Sequence, residues 1–158
     1  MGRNTLKKEE IQELFTYREG VLYNKVFRNS RALKGKISGY KGSQDYVRIG
    51  IKGKEYKRSY LVWMLYNEDI DPSLEIDHIN RKRDDDRIEN LRLVTHLENS
   101  YNKNVRKGYT HYPKTGKYKV RIGVNNKEKY LGYYDTKEEA LSVYLKAKEK
   151  YHIIKEKV

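Results

Sequence analysis

Cysteine is absent from this sequence, which excludes disulfide bonds and thiolate-held zinc. No run of 18 apolar residues occurs, so no transmembrane helix is expected and no membrane partner is implied. The N-terminus, MGRNTLKKEEIQEL, turns acidic and amphipathic instead of entering a signal-peptide apolar region. Leu6 stands where a myristoylation signal carries Ser or Thr. A cytoplasmic protein fits these absences.

What is abundant is charge. Of 158 residues, 36% are charged and 37% hydrophobic, with 16 tyrosines inflating the latter. Two small modules fit this composition better than one large core. The formal net charge is +13, and it is unevenly placed. Residues 1–60 carry 15 Lys/Arg against 6 Asp/Glu, residues 61–100 carry 5 against 10, and residues 101–158 carry 15 against 6. An acidic centre is thus held between two basic arms. Such arms can neutralise phosphates at two places along a nucleic acid, and the centre can host a cation between them. A soluble protein with a solvated lysine-rich face is the plainer alternative.

Residues 5–15 read as a short helix with Thr5 as N-cap. Arg18-Glu19-Gly20 reads as a turn before a strand at Val21–Tyr23. Residues 28–44 are polar and glycine-punctuated, with Arg31, Lys34 and Lys36 on an extended basic loop able to follow a DNA backbone. YVRIGI and the segment after Lys52-Gly53 read as a β-hairpin. The most apolar segment, YLVWMLY at 60–66, reads as a helix packed on it, with Trp63 in the core. Glu75–His78 reads as a strand, 79–87 as a loop, Ile88–Asn90 as a 3₁₀ element and Leu91–Val94 as a strand. Thr95 caps a helix from His96 to about Asn102, with Glu98 at the capping-box position. After the basic linker 103–108, three strands follow. A helix capped by Thr136 ends the unit, with Ala140, Leu141, Tyr144, Leu145, Ala147 and Lys148 giving it a partly apolar face.

The chemistry concentrates in 75–102. Phosphodiester hydrolysis needs an activated water, charge stabilisation on phosphate and a stabilised leaving oxygen. His78 is a natural base near neutral pH. Asp77 and His78 are neighbours in a strand, so their side chains diverge. Asp77 and the amide oxygen of Asn99 form an oxygen-rich donor pair suited to Mg2+ or Mn2+. A capping Asp beside a surface His is the ordinary alternative. Asn90 reads as structural, holding the loop between the strands. The run Asp84-Asp85-Asp86 lacks the spacing of a calcium loop and reads as a solvated turn, with one side chain available to Arg83 or Arg87.

DHIN, the DDRIENLRLVT block and ENSYN together resemble the HNH endonuclease family. The narrower resemblance is to phage and intron-homing members in which asparagine replaces the last histidine. LFTYREGVLY and the hairpin leading into YLVWMLY resemble the same proteins. The resemblance covers most of residues 11–104. It implies that Asp77 is a metal ligand, His78 the general base, Asn90 the middle asparagine that orients the loop, and Asn99 the second metal ligand. One divalent cation, Mg2+ or Mn2+, would act there, and products would carry a 5′ phosphate and a 3′ hydroxyl. The chain departs from the pattern of the family it resembles at Ser59-Tyr60, where many members carry His-Arg. It departs again at Arg81, where many carry glycine, and Arg81 becomes a candidate phosphate contact. His96 is a candidate phosphate-positioning or supporting residue.

GKYKVRIGV, YLGYYDTKEEA and the following helix resemble an AP2 DNA-binding domain. That resemblance implies a three-stranded sheet in the major groove. Outward His111, Lys117, Lys119, Arg121 and Lys129, with Arg106 near the start, would contact DNA, while Tyr118, Tyr130, Leu131 and Tyr134 would be core.

The expected fold is α+β: a central ββα-metal HNH nuclease fold about 75–102, with an N-terminal β-hairpin region and a C-terminal three-stranded sheet plus helix. The expected domains are 1–104, the nuclease with its basic arm, and 105–158, the AP2-like module. The expected activity is metal-dependent cleavage of double-stranded DNA, of the site-specific homing kind, as a nick or a double-strand break. No obligate protein partner is implied. The alternatives are a DNA-binding regulator that keeps a dead nuclease fold and an RNA-binding basic protein.

Overall fold

A computed structural model describes residues 6–67, 70–102 and 108–155. Thr5 and Arg106 lie outside the described residues. The protein is α+β, with small sheets and four helices among the described residues. It divides into two compact units, Met1–Leu93 and Val94–Lys157.

The first unit begins with α1 (Lys8–Leu14), seven residues and too short to persist alone. Glu10 Oε2 accepts the Lys7 amide at 3.1 Å, which makes Lys7 the N-cap. Ile11 is its buried anchor. β1 (Phe15–Arg18) and β2 (Val21–Asn24) form an antiparallel hairpin. Its two-residue turn, Glu19-Gly20, has both φ values positive, +45° and +83°. That conformation matches the right-handed twist of the strands. β3 (Tyr40–Lys41), β4 (Val47–Ile51) and β5 (Lys54–Lys57) form a second antiparallel sheet. The turn between β4 and β5 is Lys52-Gly53, again with both φ values positive.

α2 (Arg58–Tyr66) packs on these sheets. Leu61, Val62 and Met64 join Leu6, Ile11, Phe15, Leu22, Ile49, Ile51 and Leu91 in one core, with Trp63 half-buried against it. Each fully buried Leu or Ile contributes roughly 1.5–3 kcal/mol relative to exposure. The loop between β2 and β3 holds more structure than its composition suggests. Arg28 donates to Asn24 Oδ1, Ser38 Oγ and the Gly50 carbonyl at 2.8, 3.0 and 2.6 Å. Its guanidinium also lies over the Phe15 ring. Arg31, Lys34 and Lys36 stay exposed on that loop.

β6 (Leu74–His78) and β7 (Leu91–Thr95) form a two-stranded sheet, with a 3₁₀ turn at Ile88–Asn90 before β7. α3 (His96–Asn102) follows, capped as its sequence predicts. Glu98 N donates to Thr95 Oγ1 at 3.2 Å and Glu98 Oε2 accepts the Thr95 amide at 2.8 Å.

In the second unit, β8 (Tyr109–Tyr112), β9 (Lys117–Val124) and β10 (Lys127–Tyr134) form an antiparallel sheet with β9 central. α4 (Lys137–Tyr151) packs on one face. Val120, Ile122, Ala140 and Ala147 are buried between them. Leu145, on the partly apolar face of α4, is exposed. Tyr101 of α3 stacks on His152 with centroids 4.0 Å apart, and its hydroxyl accepts the Asn125 amide at 3.1 Å. His152 Nε2 in turn donates to the Gly123 carbonyl at 2.7 Å.

Gly20 ties the first hairpin to the loop after β6. A Cβ there would lie 2.6 Å from the Arg87 backbone nitrogen, whereas a Cβ at Gly53 meets nothing within 4 Å. Both positions are left-handed, so Gly53→Ala should cost about 1 kcal/mol from backbone strain alone. Gly20→Ala should cost distinctly more, and denaturant titration of the two variants separates strain from contact.

Candidate active site

The site grows from the C-terminal end of β6. Asp77 and His78 are both buried, and their side chains diverge as strand alternation requires. Asp77 meets Arg92 on the neighbouring strand β7. Arg92 donates from Nε and Nη2 to Asp77 Oδ2, at 3.0 and 2.8 Å. His78 points instead into the loop between the strands. Its Nε2 lies 2.7 Å from Asp86 Oδ1. The other Asp86 oxygen accepts Arg58 Nε at 2.7 Å, and Arg58 Nη2 donates to the Asp84 carbonyl at 2.7 Å. Asp86 is 1% exposed, His78 3% and Arg58 6%.

The three consecutive aspartates are therefore not a solvated turn. Asp84 lies near Lys41, with Nζ to Oδ2 at 3.3 Å. Asp85 is clamped by Arg87, whose Nε and Nη2 reach its two oxygens at 2.8 Å each. Hydrogen bonding from Arg87, foremost, and from Asn80 pushes the Asp85 carboxyl well below the usual carboxylate range. Asp86 is buried. The expectation of an aspartate held by Arg87 is met by Asp85 alone.

Asn90 closes this loop. Its Oδ1 accepts the Asn80 amide at 3.0 Å. Its Nδ2 donates to Asn80 Oδ1 at 3.1 Å and to the Asp85 carbonyl at 2.7 Å. Its own carbonyl accepts the Ile79 amide at 2.9 Å. One buried side chain thus satisfies three polar groups of a segment with no regular structure. Arg81, exposed on the same loop, has φ +65°. That is the left-handed conformation a glycine adopts without strain.

A cluster of cations stands beside the histidine. The Tyr46 and His78 rings are 6.0 Å apart, and both Lys57 and Arg83 lie over Tyr46, at 4.1 and 5.1 Å from its centroid. Burial pushes the Lys57 ammonium down. Nothing in the local sequence pattern marks Tyr46, Lys57 or Arg83 as a group. Arg58 and Arg92 did carry a signal. One stands two residues before the most apolar segment of the chain, and the other lies on the strand that pairs with the one holding Asp77.

Asn99 and His96 lie on α3, in the second unit, Asn99 half-buried and His96 exposed. Among the described residues, no group of three or more His, Cys, Asp or Glu side chains is arranged to hold a metal. A carboxylate such as Asp77 and an amide oxygen such as Asn99 are each the kind of hard oxygen donor that Mg2+ takes alongside water.

The register of the second sheet corrects two outward assignments. Lys119 and Arg121 alternate with buried Val120 and Ile122, so Lys117, Lys119 and Arg121 lie on the face away from α4. His111 pairs with Tyr118, and Lys129 with Ile122, which puts both on the α4 face. The Lys129 ammonium lies over the Tyr151 ring of α4 at 4.5 Å. Tyr130, expected in the core, pairs with Arg121 and is 55% exposed. The cause is a bulge between Tyr130 and Gly132, which inverts the alternation on its N-terminal side. Tyr112, Tyr133 and Tyr130 consequently form an exposed aromatic row among the outward cations, with neighbouring centroids 5.9 Å apart.

Residues 56–101 match the family described as HNH endonuclease, a span running from β5 into α3. Asp77, His78, Asp86, Asn90 and Asn99 all fall within the matched span. The chain is also similar to a solved structure concerned with DNA binding and cleavage by the HNH homing endonuclease I-HmuI. The identity is 24% over 78% of this chain and 72% of that one, with a TM-score of 0.42. No curated protein matches significantly.

Two outcomes test this local architecture. Asn90→Ala leaves buried loop groups unsatisfied and should lower unfolding free energy by about 1–3 kcal/mol in denaturant titration. Asp85 has a depressed folded pKa, so its contribution is complete above the ordinary carboxylate value of about 3.9 and is lost as pH falls below it. The stability gap between wild type and Asp85→Asn should therefore be constant above about pH 5 and close on acidification. A gap unchanged down to acid pH overturns the Arg87 clamp.

Proposed function

We propose that the protein is a divalent-metal-dependent endonuclease of double-stranded DNA, of the site-specific homing kind. The observation that carries this reading is the buried Asp77-His78 pair, held at the end of β6 within the segment that matches the HNH family. In this reading residues 1–104 form the nuclease with its basic arm, and residues 105–158 form an AP2-like DNA-binding module.

His78 takes the proton of the attacking water, and its rigid burial keeps the ring aligned for that transfer. Asp77 and Asn99 supply the oxygen ligands for Mg2+ or Mn2+. When bound, the cation supplies charge stabilisation at the scissile phosphate and the leaving 3′ oxygen. Arg92 fixes Asp77 by holding its Oδ2, which limits the carboxylate to one orientation. Lys57 and Arg83, gathered on Tyr46 beside His78, attract the backbone phosphate. Arg31, Lys34, Lys36 and Arg81 extend the contact, and Lys117, Lys119 and Arg121 give the second unit a cationic face toward DNA.

Supercoiled plasmid incubated with Mg2+ or Mn2+ should be nicked or linearised. His78→Ala should slow cleavage by at least about 10²-fold while DNA binding persists. Equal cutting by that variant removes His78 as the base. Wild-type binding without cutting in either cation favours a DNA-binding regulator instead. Replacing Lys117, Lys119 and Arg121 together by alanine should weaken binding across sequences. It should also flatten the salt dependence by about 0.9 in log–log slope per lost phosphate contact, as measured by fluorescence anisotropy.

A further inference from the structure

The buried chain Arg58–Asp86–His78 has a consequence for the reaction that Asp77, His78 and Asn99 alone do not supply. We infer that Asp86 is a positioning residue that fixes the tautomer and ring orientation of His78. The inference rests on the reading of His78 as the general base.

An ionised carboxylate only accepts hydrogen bonds. With Asp86 Oδ1 2.7 Å from His78 Nε2, the hydrogen of the neutral ring resides on Nε2. On the reading of His78 as the base, proton uptake from water then falls to Nδ1. Asp86 cannot turn away, because Arg58 Nε holds its second oxygen at 2.7 Å. Arg58 is itself held by the Asp84 carbonyl at 2.7 Å and sits in the first turn of α2, on the packed core. The orientation of the ring is thus referred through two short hydrogen bonds to a helix. Burial of all three groups excludes the water that would otherwise compete for each bond. The arrangement has the logic of a base oriented by a third group.

Asp86→Asn inverts this logic without changing shape. Arg58 only donates, so the amide oxygen must face Arg58 and the amide NH2 must face His78. Nε2 then becomes an acceptor, and the hydrogen moves to Nδ1, where it blocks proton uptake. Plasmid cleavage under enzyme excess should slow by about 10²- to 10⁴-fold at saturation, while the half-saturating protein concentration stays within about twofold. Nitrogen-15 NMR of the His78 ring should report Nε2–H in wild type and Nδ1–H in Asp86→Asn.

The NMR readout separates this inference from the nuclease reading. If wild-type His78 carries its hydrogen on Nδ1, the inference is overturned whether or not the protein cuts. It is equally overturned if Asp86→Asn switches the tautomer but cuts at the wild-type rate, or loses affinity instead of rate. A slowed variant with an unchanged tautomer also overturns it. If His78→Ala retains activity, the base assignment fails and the positioning role fails with it. If Asp86→Asn does not fold, the wild-type tautomer alone decides: Nε2–H supports the inference and Nδ1–H ends it.

Discussion

A buried carboxylate must be answered by hydrogen bonds and opposite charge, and the loop between β6 and β7 is arranged around that requirement. Asp86 has almost no contact with water and is met by Arg58 on one oxygen and His78 on the other. Removing one member of such a pair typically costs about 3–5 kcal/mol, because the remaining charge is left buried and alone. The requirement therefore fixes the start of α2, the path of the loop and the ring of His78 together. Asn90 carries out the neutral part of the same task, satisfying loop backbone that no strand or helix satisfies. Gly20 permits the first hairpin to come within van der Waals distance of the Arg87 backbone, one residue beyond Asp86.

The three aspartates show how far composition can mislead. Read as a string, Asp84-Asp85-Asp86 is a polar turn between two strands. Read in space, the run has three different environments within three residues. Asp84 offers its carbonyl to Arg58, Asp85 holds Arg87 and Asn80, and Asp86 is in the interior. Local propensity says nothing about this, because the partner that draws Asp86 inward is Arg58, 28 residues earlier. The elements themselves were legible for the opposite reason. The hairpins at Glu19-Gly20 and Lys52-Gly53, the Thr95 and Thr136 caps and the 3₁₀ turn at Ile88–Asn90 are set by residues within a few positions of one another.

The second unit gives a sharper version of the same contrast. Alternation correctly separates Lys117, Lys119 and Arg121 from Val120 and Ile122, because β9 is regular and central. Counting back from half-buried Tyr134 by twos places Tyr130 inside and Lys129 outside. One extra residue at Leu131 reverses both. A bulge has no reliable sequence signature, and a single one exchanges the faces of everything on one side of it. The result is a surface chemically unlike the one alternation predicts. Three tyrosines stand among the outward cations, with Lys119 5.6 Å from the Tyr130 ring centre.

In the proposed nuclease, these features divide catalysis and binding along the chain. The groups that orient His78 come from the first turn of α2 and the loop after β6, all within the first unit. The groups that offer a broad cationic and aromatic surface belong to the second. A catalytic base needs its orientation fixed to a fraction of an ångström, and burial with paired charges supplies that rigidity. A duplex-binding face needs solvated cations that release counterions from phosphate, and burial would defeat it. The buried Arg58 and the exposed Lys119 are both cations, yet only the second can contribute to affinity. Arg58 is spent on Asp86, and in the proposed nuclease its influence on cleavage would pass through the ring of His78.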